Sequence, residues 1–398
     1  MCLLDQSAAY DLLCHNILKE KLGIYKFDSK SIDWIMSYLG DRSQCVQIES
    51  KISEPLQCSD HGVPQGSVLG GLLHLINSND FPACHQSGES VVYVDDDTDY
   101  VHEADPIKLK ALIEQEAANS ANWLRDNRLC VAGDKSKLLI IGTKQLKKSK
   151  VVGDMTITID GKQVCESSSE KLLGVTIDNK LTWKAHLYGD NDNDGLLAQL
   201  SKRVGILTKL SKHMNKSRLK EFAAGMFYSK LNYCLPVYGH VFGLDFYKER
   251  NNRYSSFTTS DNRRLQVLQN KVNRLITGAD KRTSTSNLLE MTDSLSVQQM
   301  IGYQTLIMTY KILDSKKPVY LANRICKNQS MINLRSSKYV NQPNYKLSLT
   351  NEGFIARGQA LMNKLDASIR NEKSLLAFKF KTREWVKKFI PEKPRTRI

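Results

Sequence analysis

The sequence predicts an α+β protein: an antiparallel sheet packed on helices in the first half, then a mainly helical second half. Three observations carry this. Short β-branched and aromatic runs, such as Val91, Val92, Tyr93 and Val94, alternate with helical periodicities as far as His186. Beyond His186 strand signals thin out, and Leu265, Leu268, Val272, Leu275 and Ile276 recur at helical spacing. The 398 residues, with 41% hydrophobic content, are enough for more than one core.

In order along the chain, Cys2 to Asp5 reads as a strand. Leu13, Ile17, Leu18 and Leu22 then mark one face of a helix. A helix around Ile32 to Leu39 and a strand pair around Cys45 to Ile48 and Leu56 follow. Gly62-Val63-Pro64-Gln65-Gly66-Ser67 is a turn-rich segment that opens an apolar, helix-like stretch. Asp105-Pro106 signals a helix start, with Asp as N-cap and Pro at the first position. Leu109, Leu112, Ile113, Ala117 and Leu124 line one face of that helix. A strand is predicted around 138–141, and residues 155–159 run into Asp160-Gly161, a hairpin signal. Residues 172–177 read as one short strand, with Trp183 and His186 just beyond. The predicted divisions are 1–186, 187–300 and 301–398, the last two helical.

Charge is unevenly spread. Residues 1–200 hold 20 Lys and Arg against 29 Asp and Glu, a net of −9; residues 201–398 hold 37 against 13, a net of +24. An acidic front half suits metal ligation and a basic back half suits a polyanion, nucleic acid first among them. Arg263, Arg264, Lys271 and Arg274 decorate one predicted helix of the basic half. No apolar run reaches membrane-spanning length, so no membrane partner is expected. Nine scattered cysteines, none in a Cys-x-x-Cys pair, point to reduced intracellular thiols rather than a zinc site or disulfide framework. Asp190 to Gly195 fits the first half of a calcium-binding loop, but Ser201 stands where a bidentate Glu is required, so a flexible acidic turn is expected.

The chemistry lies in the acids. Asp95, Asp96 and Asp97 follow the strand-like run at Tyr93-Val94, and adjacent carboxylates repel unless a cation sits between them. Oxygen-only ligation selects a hard ion, magnesium or manganese. Asp5 ends a second apolar run, followed by Ala8, Ala9, Tyr10 and Asp11. These two segments, with Gly62 to Ser67 between them, resemble in order and spacing motifs A, B and C of reverse transcriptases, closest to non-LTR (LINE-type) retrotransposons.

The resemblance implies a polymerase palm over 1–186, a thumb-like region over 187–300 and a basic helical region over 301–398. It implies an RNA-directed DNA polymerase that joins a dNTP to a primer 3′-hydroxyl on an RNA template, using two Mg²⁺ or Mn²⁺ ions. Asp5, Asp95 and Asp96 would be the catalytic metal ligands. Asp97 departs from the family, which passes from the Asp pair directly to Thr, and this leaves open which of the three acids face the metals. Tyr10 matches the ring that lies beneath the incoming sugar and excludes a 2′-hydroxyl. Gln65 and Gly66 match the contact with the nascent base pair and the sugar. Lys135 matches a motif D lysine that neutralises or protonates departing pyrophosphate. Leu173-Gly174-Val175, with Trp183 and His186, resembles the primer grip, and Leu265 to Lys271 a segment after the thumb.

Departures accompany the match. Gly71, His74 and Asn77 stand where relatives have Pro, Phe and Tyr. Met1 lies four residues before Asp5, so an N-terminally truncated fragment without its full fingers is expected. The resemblance also implies an intracellular, nuclear protein. A second reading is an inactive derivative that only binds RNA or an RNA–DNA hybrid. A third is another palm polymerase, against which Tyr10 and the Gly62 to Ser67 wording argue.

Overall fold

The computed structural model describes residues 1–7, 9–58, 60–131, 136–142, 155–159, 161–190, 194–241, 257–325, 340 and 353–392, with Asp5, Ser7 and Val131 described by their backbones alone. The chain divides into two compact units, Met1–Glu170 and Lys171–Ile398. The boundary read near His186 therefore falls inside the second unit.

The first unit is built on β1 (Cys2–Ser7), followed by α1 (His15–Ile24) and α2 (Ser29–Leu39). Asp28 caps α2 by accepting from Ser31 N at 3.0 Å, which satisfies one of the orphan donors of a helix start. Two short exposed ladders come next: β2 (Ser43–Gln44) pairs β5 (Leu56–Gln57), and β3 (Gln47–Ile48) pairs β4 (Lys51–Ile52). α3 (Val68–Ser78) then leads through a 3₁₀ turn, Phe81–Cys84, to the hairpin of β6 (Glu89–Tyr93) and β7 (Asp96–Tyr100). α4 (Pro106–Asp126) has Pro at its start and Asp105 as N-cap, accepting from Ile107 N at 2.9 Å. The predicted start signal is thus realised in detail. β8 (Cys130–Val131), β9 (Lys137–Leu139), β10 (Thr156–Ile159) and β11 (Lys162–Ser167) complete the unit.

Among the described residues these strands form a seven-stranded sheet in the order β10–β11–β9–β1–β7–β6, with β8 also pairing β1. Every pairing is antiparallel except β9 with β11. Cys2 and Leu4 of β1, Leu138, Ile157 and Val164 of the sheet, and Ile113 and Ala117 of α4 share one core. That is the period-2 face of a strand meeting the period-3.6 face of a helix. A second cluster joins the helices α1 to α3 through Leu13, Leu18, Leu22, Ile35, Leu39, Val63 and Leu73.

Most of the hairpin of β12 (Ser169–Leu172) and β13 (Val175–Asp178) falls in the second unit. Residues 172–177 are therefore not one strand. The chain reverses at Leu173-Gly174, whose φ values of 46° and 82° are both left-handed, the conformation of a tight hairpin turn. An apolar Leu before the Gly concealed that turn in the sequence. Among the described residues the remainder is mainly helical, including Leu196–Leu210, Thr259–Thr277, Val297–Ser315, Phe354–Lys364 and Leu375–Phe389. One core runs from Leu187 to Ile390, so residues 187–300 and 301–398 pack together. The Thr259–Thr277 helix begins with a capping box between Thr258 and Asp261 and ends at Gly278 with φ 75°, the left-handed stop that glycine allows. No described helix is long and apolar enough to cross a membrane.

Candidate active site

The β6–β7 hairpin sets the positions of the acids. Tyr93 and Asp96 are its closing pair, so Val94 and Asp95 form the two-residue turn. Val94 has φ 63°, which suits the twist of a tight hairpin but is an outlier for a β-branched residue. On the neighbouring ladder Asp5 is the Cα partner of Asp96, Leu4 of Asp97 and Cys2 of Asp99. Directly paired residues share a sheet face. Asp97 and Asp99 accordingly lie buried with Leu4 and Cys2, while Asp95 and Asp96 are exposed.

The face of Asp97 was open in the sequence, because strand alternation allowed Asp95 and Asp97 to point the same way. The turn breaks that alternation, and Asp97 enters the core. There Gln6 Nε2 donates to its Oδ2 at 2.5 Å. Burial pushes the Asp97 carboxyl up to about 7; the Gln6 bond opposes the shift, and the charges of Asp99, Asp95 and Asp96 add to it.

Gln65 and Gly66 lie in a turn before α3. Ser67 N donates to Pro64 O at 3.2 Å across it, and Gly66 has φ 79°, the left-handed value that favours glycine at this turn position. Ser67 then caps α3, accepting from Gly70 N at 3.0 Å. A Cβ on Gly70 would sit 2.9 Å from both Pro64 O and Ser67 Oγ, so this close approach also requires glycine. Gln65 Nε2 donates to Asp11 Oδ1 at 3.0 Å, tying the turn to the segment after β1.

These elements converge. Tyr10, Gln65, Gly66, Ser67, Gly71 and Asp95 line one open recess of about 530 Å³. Asp96 follows Asp95 in sequence and is the Cα partner of Asp5 in the ladder. Lys135 and the Asp5 side chain lie outside what the structure describes. Among the described residues no group of three or more His, Cys, Asp or Glu side chains is arranged to hold a metal ion. The donor set nevertheless fits a hard divalent cation: two exposed carboxylates at the turn, a third aspartate in cross-strand register, and oxygen donors throughout.

Behind the hairpin lies a buried network that the sequence reading missed. His85 Nδ1 donates to Glu116 Oε2 at 3.1 Å, and its Nε2 lies 3.2 Å from Asp99 Oδ1 in an ion pair off the line of a hydrogen bond. Ser120 Oγ donates to Asp99 Oδ2 at 2.8 Å, and Ser87 N to Glu116 Oε1 at 2.6 Å. Burial works against the His85 cation, but the Asp99 carboxylate outweighs it and the imidazole rises to about 10. The sequence carried no periodic signal for these residues, which come from three different elements.

In the second unit Arg263, Arg264 and Lys271 stand on the exposed side of the Thr259–Thr277 helix, while Leu265, Leu268, Val272 and Ile276 are buried. Arg274 is half-buried and donates to Thr283 O at 3.1 Å. The buried side also carries amides: Gln266 Nε2 donates to Gln269 Oε1 and Asn270 Oδ1, each at 2.9 Å. Asp261 ties this helix to Lys184 at 2.6 Å and to Tyr188.

Over 290 residues the chain is 27% identical to a probable RNA-directed DNA polymerase from transposon X-element of Drosophila melanogaster, covering 70% of this chain. Over 201 residues it is 29% identical to the one from transposon BS of the same organism, covering 46% of this chain. Both relatives are named as transposon RNA-directed DNA polymerases. The chain spans 28% and 20% of the length of these two relatives. No family model matches the sequence. Among solved structures, a Candida tropicalis telomerase in complex with a TWJ fragment of telomeric RNA aligns at 14% identity and a TM-score of 0.33, covering 73% of this chain and 48% of that one.

Proposed function

We propose that the chain is the palm and thumb portion of an RNA-directed DNA polymerase, extending a DNA primer on an RNA template. One observation carries the reading: Asp95, Tyr10, Gln65 and Gly66, drawn from three distant segments, line one recess. The names of the two homologues support the same chemistry.

In this reading Asp5, Asp95 and Asp96 hold a pair of Mg²⁺ or Mn²⁺ ions. Such a pair, when bound, activates the primer 3′-hydroxyl and neutralises the leaving pyrophosphate. The chain's own residues orient the reactants. Tyr10, half-buried at the recess wall, fills the space of a 2′-hydroxyl and favours deoxynucleotides. Gly66 lets the backbone approach the incoming nucleotide, and Gln65, braced by Asp11, contacts the nascent pair. Lys135 serves pyrophosphate. The basic surface of the second unit binds the hybrid backbone, positioning it without reading bases.

A second reading, a nucleic-acid-binding derivative without catalysis, has its own support. His74 Nδ1 and Asn77 Oδ1 are buried without hydrogen-bond partners in α3, where the family pattern has Phe and Tyr, and such groups cost stability. Primer extension on an RNA template separates the two. Metal-dependent extension that disappears in Asp95→Asn supports the polymerase, and tight hybrid binding without extension supports the derivative.

A further inference from the structure

His74 has a role in the recess beyond those given to Asp95, Tyr10, Gln65 and Gly66. Its side chain is 2% exposed on α3 and faces two elements at once. Its ring stacks on Tyr10, with centroids 4.9 Å apart and planes 21° from parallel. Its Nε2 lies 3.0 Å from the carbonyl oxygen of Val94, in the turn that presents Asp95. A carbonyl only accepts, so Nε2 carries the proton and donates. Nδ1 is buried without a partner, and an N–H there would be an unsatisfied donor, so the neutral Nε2–H tautomer is the one that fits.

The Val94 carbonyl is a consequential place for such a bond. Val94 is held at φ 63°, and a β-branched residue stays there only where its surroundings enforce it. One imidazole therefore braces a strained turn and supports an aromatic ring on the same recess.

We infer that His74 is a positioning residue that couples the Val94–Asp95 turn to the Tyr10 ring, so that the divalent-metal carboxylate and the sugar-facing ring are set by one side chain. This rests on the polymerase reading of the recess. The two functions of His74 are separable by substitution. His74→Phe keeps a ring to stack on Tyr10 and removes the donor. His74→Gln keeps an amide donor and removes the ring.

The experiment uses the purified full chain with Mn²⁺ as the metal probe, titrated by electron paramagnetic resonance of the free ion. Primer extension with ribo- and deoxynucleotides gives the sugar preference. His74→Phe is expected to weaken Mn²⁺ binding by about tenfold, the scale of one buried hydrogen bond, with sugar preference unchanged. His74→Gln is expected to raise ribonucleotide use with Mn²⁺ binding near that of the starting protein. The ¹⁵N spectrum of the unmodified protein should show a neutral His74 protonated at Nε2 and slow to exchange. An Nδ1–H tautomer, or His74→Phe binding Mn²⁺ like the unmodified chain, would overturn the coupling alone. An unmodified chain that binds no Mn²⁺ would overturn the polymerase reading and the coupling with it. If His74→Phe does not fold, the tautomer measurement and His74→Gln still decide.

Discussion

Asp5 and Asp96 are Cα partners across the antiparallel ladder of β1 and β7, while the next residue, Asp97, turns into the core opposite Leu4. One register thus separates acids that are adjacent in sequence. Asp95→Asn is expected to lower metal-dependent primer extension by roughly 10²–10³, as when one group that stabilises developing charge is removed. Asp97→Asn should leave extension within a few-fold. Steady-state extension rates on both variants check this, and equal losses would mean the buried acid is not separate from the chemistry.

Tyr10 borders the recess with its ring backed by His74. Tyr10→Ala should raise ribonucleotide incorporation relative to deoxynucleotide by about tenfold or more, the scale of one or two kcal/mol of lost discrimination. Competition between the two nucleotides in one extension reaction measures the ratio. An unchanged ratio in an active variant would return Tyr10 to a packing role.

The net of +24 over residues 201–398 predicts hybrid binding that weakens steeply with salt. Proteins that neutralise about six to ten phosphates lose roughly 10³–10⁵ in affinity between about 50 and 200 mM salt. Fluorescence anisotropy of a labelled RNA–DNA hybrid across that range gives the slope. Replacing Arg263, Arg264 and Lys271 together should flatten it, and a flat slope in the unmodified chain would remove the electrostatic argument.

His85 is the cation between two buried carboxylates, Asp99 and Glu116. His85→Gln leaves them facing each other without it, and breaking a buried pair in this way costs about 3–5 kcal/mol. Urea unfolding should show a loss of that size, partly recovered in the double variant His85→Gln/Glu116→Gln. A loss under about 1 kcal/mol, the scale of an exposed ion pair, would contradict the burial argument.

His186 gives a pH dependence of defined sign. Burial first, and the Lys230 charge second, lower its pKa from 6.5 to about 4. The unfolded chain therefore binds this proton more readily, so His186 makes stability fall as pH drops from 6.5 towards 4. The full effect is on the order of 3 kcal/mol. Unfolding free energies measured from pH 7 to 4 should decline less steeply in His186→Gln. Parallel pH curves for the two proteins would show that another group carries the slope.

What the sequence by itself determined was local. Asp105-Pro106 specified a helix start, because an Asx cap and a proline without an N–H suit the first turn. The spacing of Leu265, Leu268, Val272 and Ile276 specified which side of a helix is buried. The order of Asp5, Gly62 to Ser67 and Tyr93 to Asp96 pointed to the family that the transposon homologues represent. The hairpin at Leu173-Gly174 was not legible, since an apolar residue at a left-handed position looks like strand. Only the tertiary structure decided that Asp97 faces inward, that His85 meets Asp99 and Glu116, and that His74 bridges Tyr10 and Val94. The reason is physical. Periodicity and capping depend on neighbours within a few residues, whereas register and side-chain convergence follow from pairings between segments far apart, where a one-residue shift exchanges the two faces of a strand.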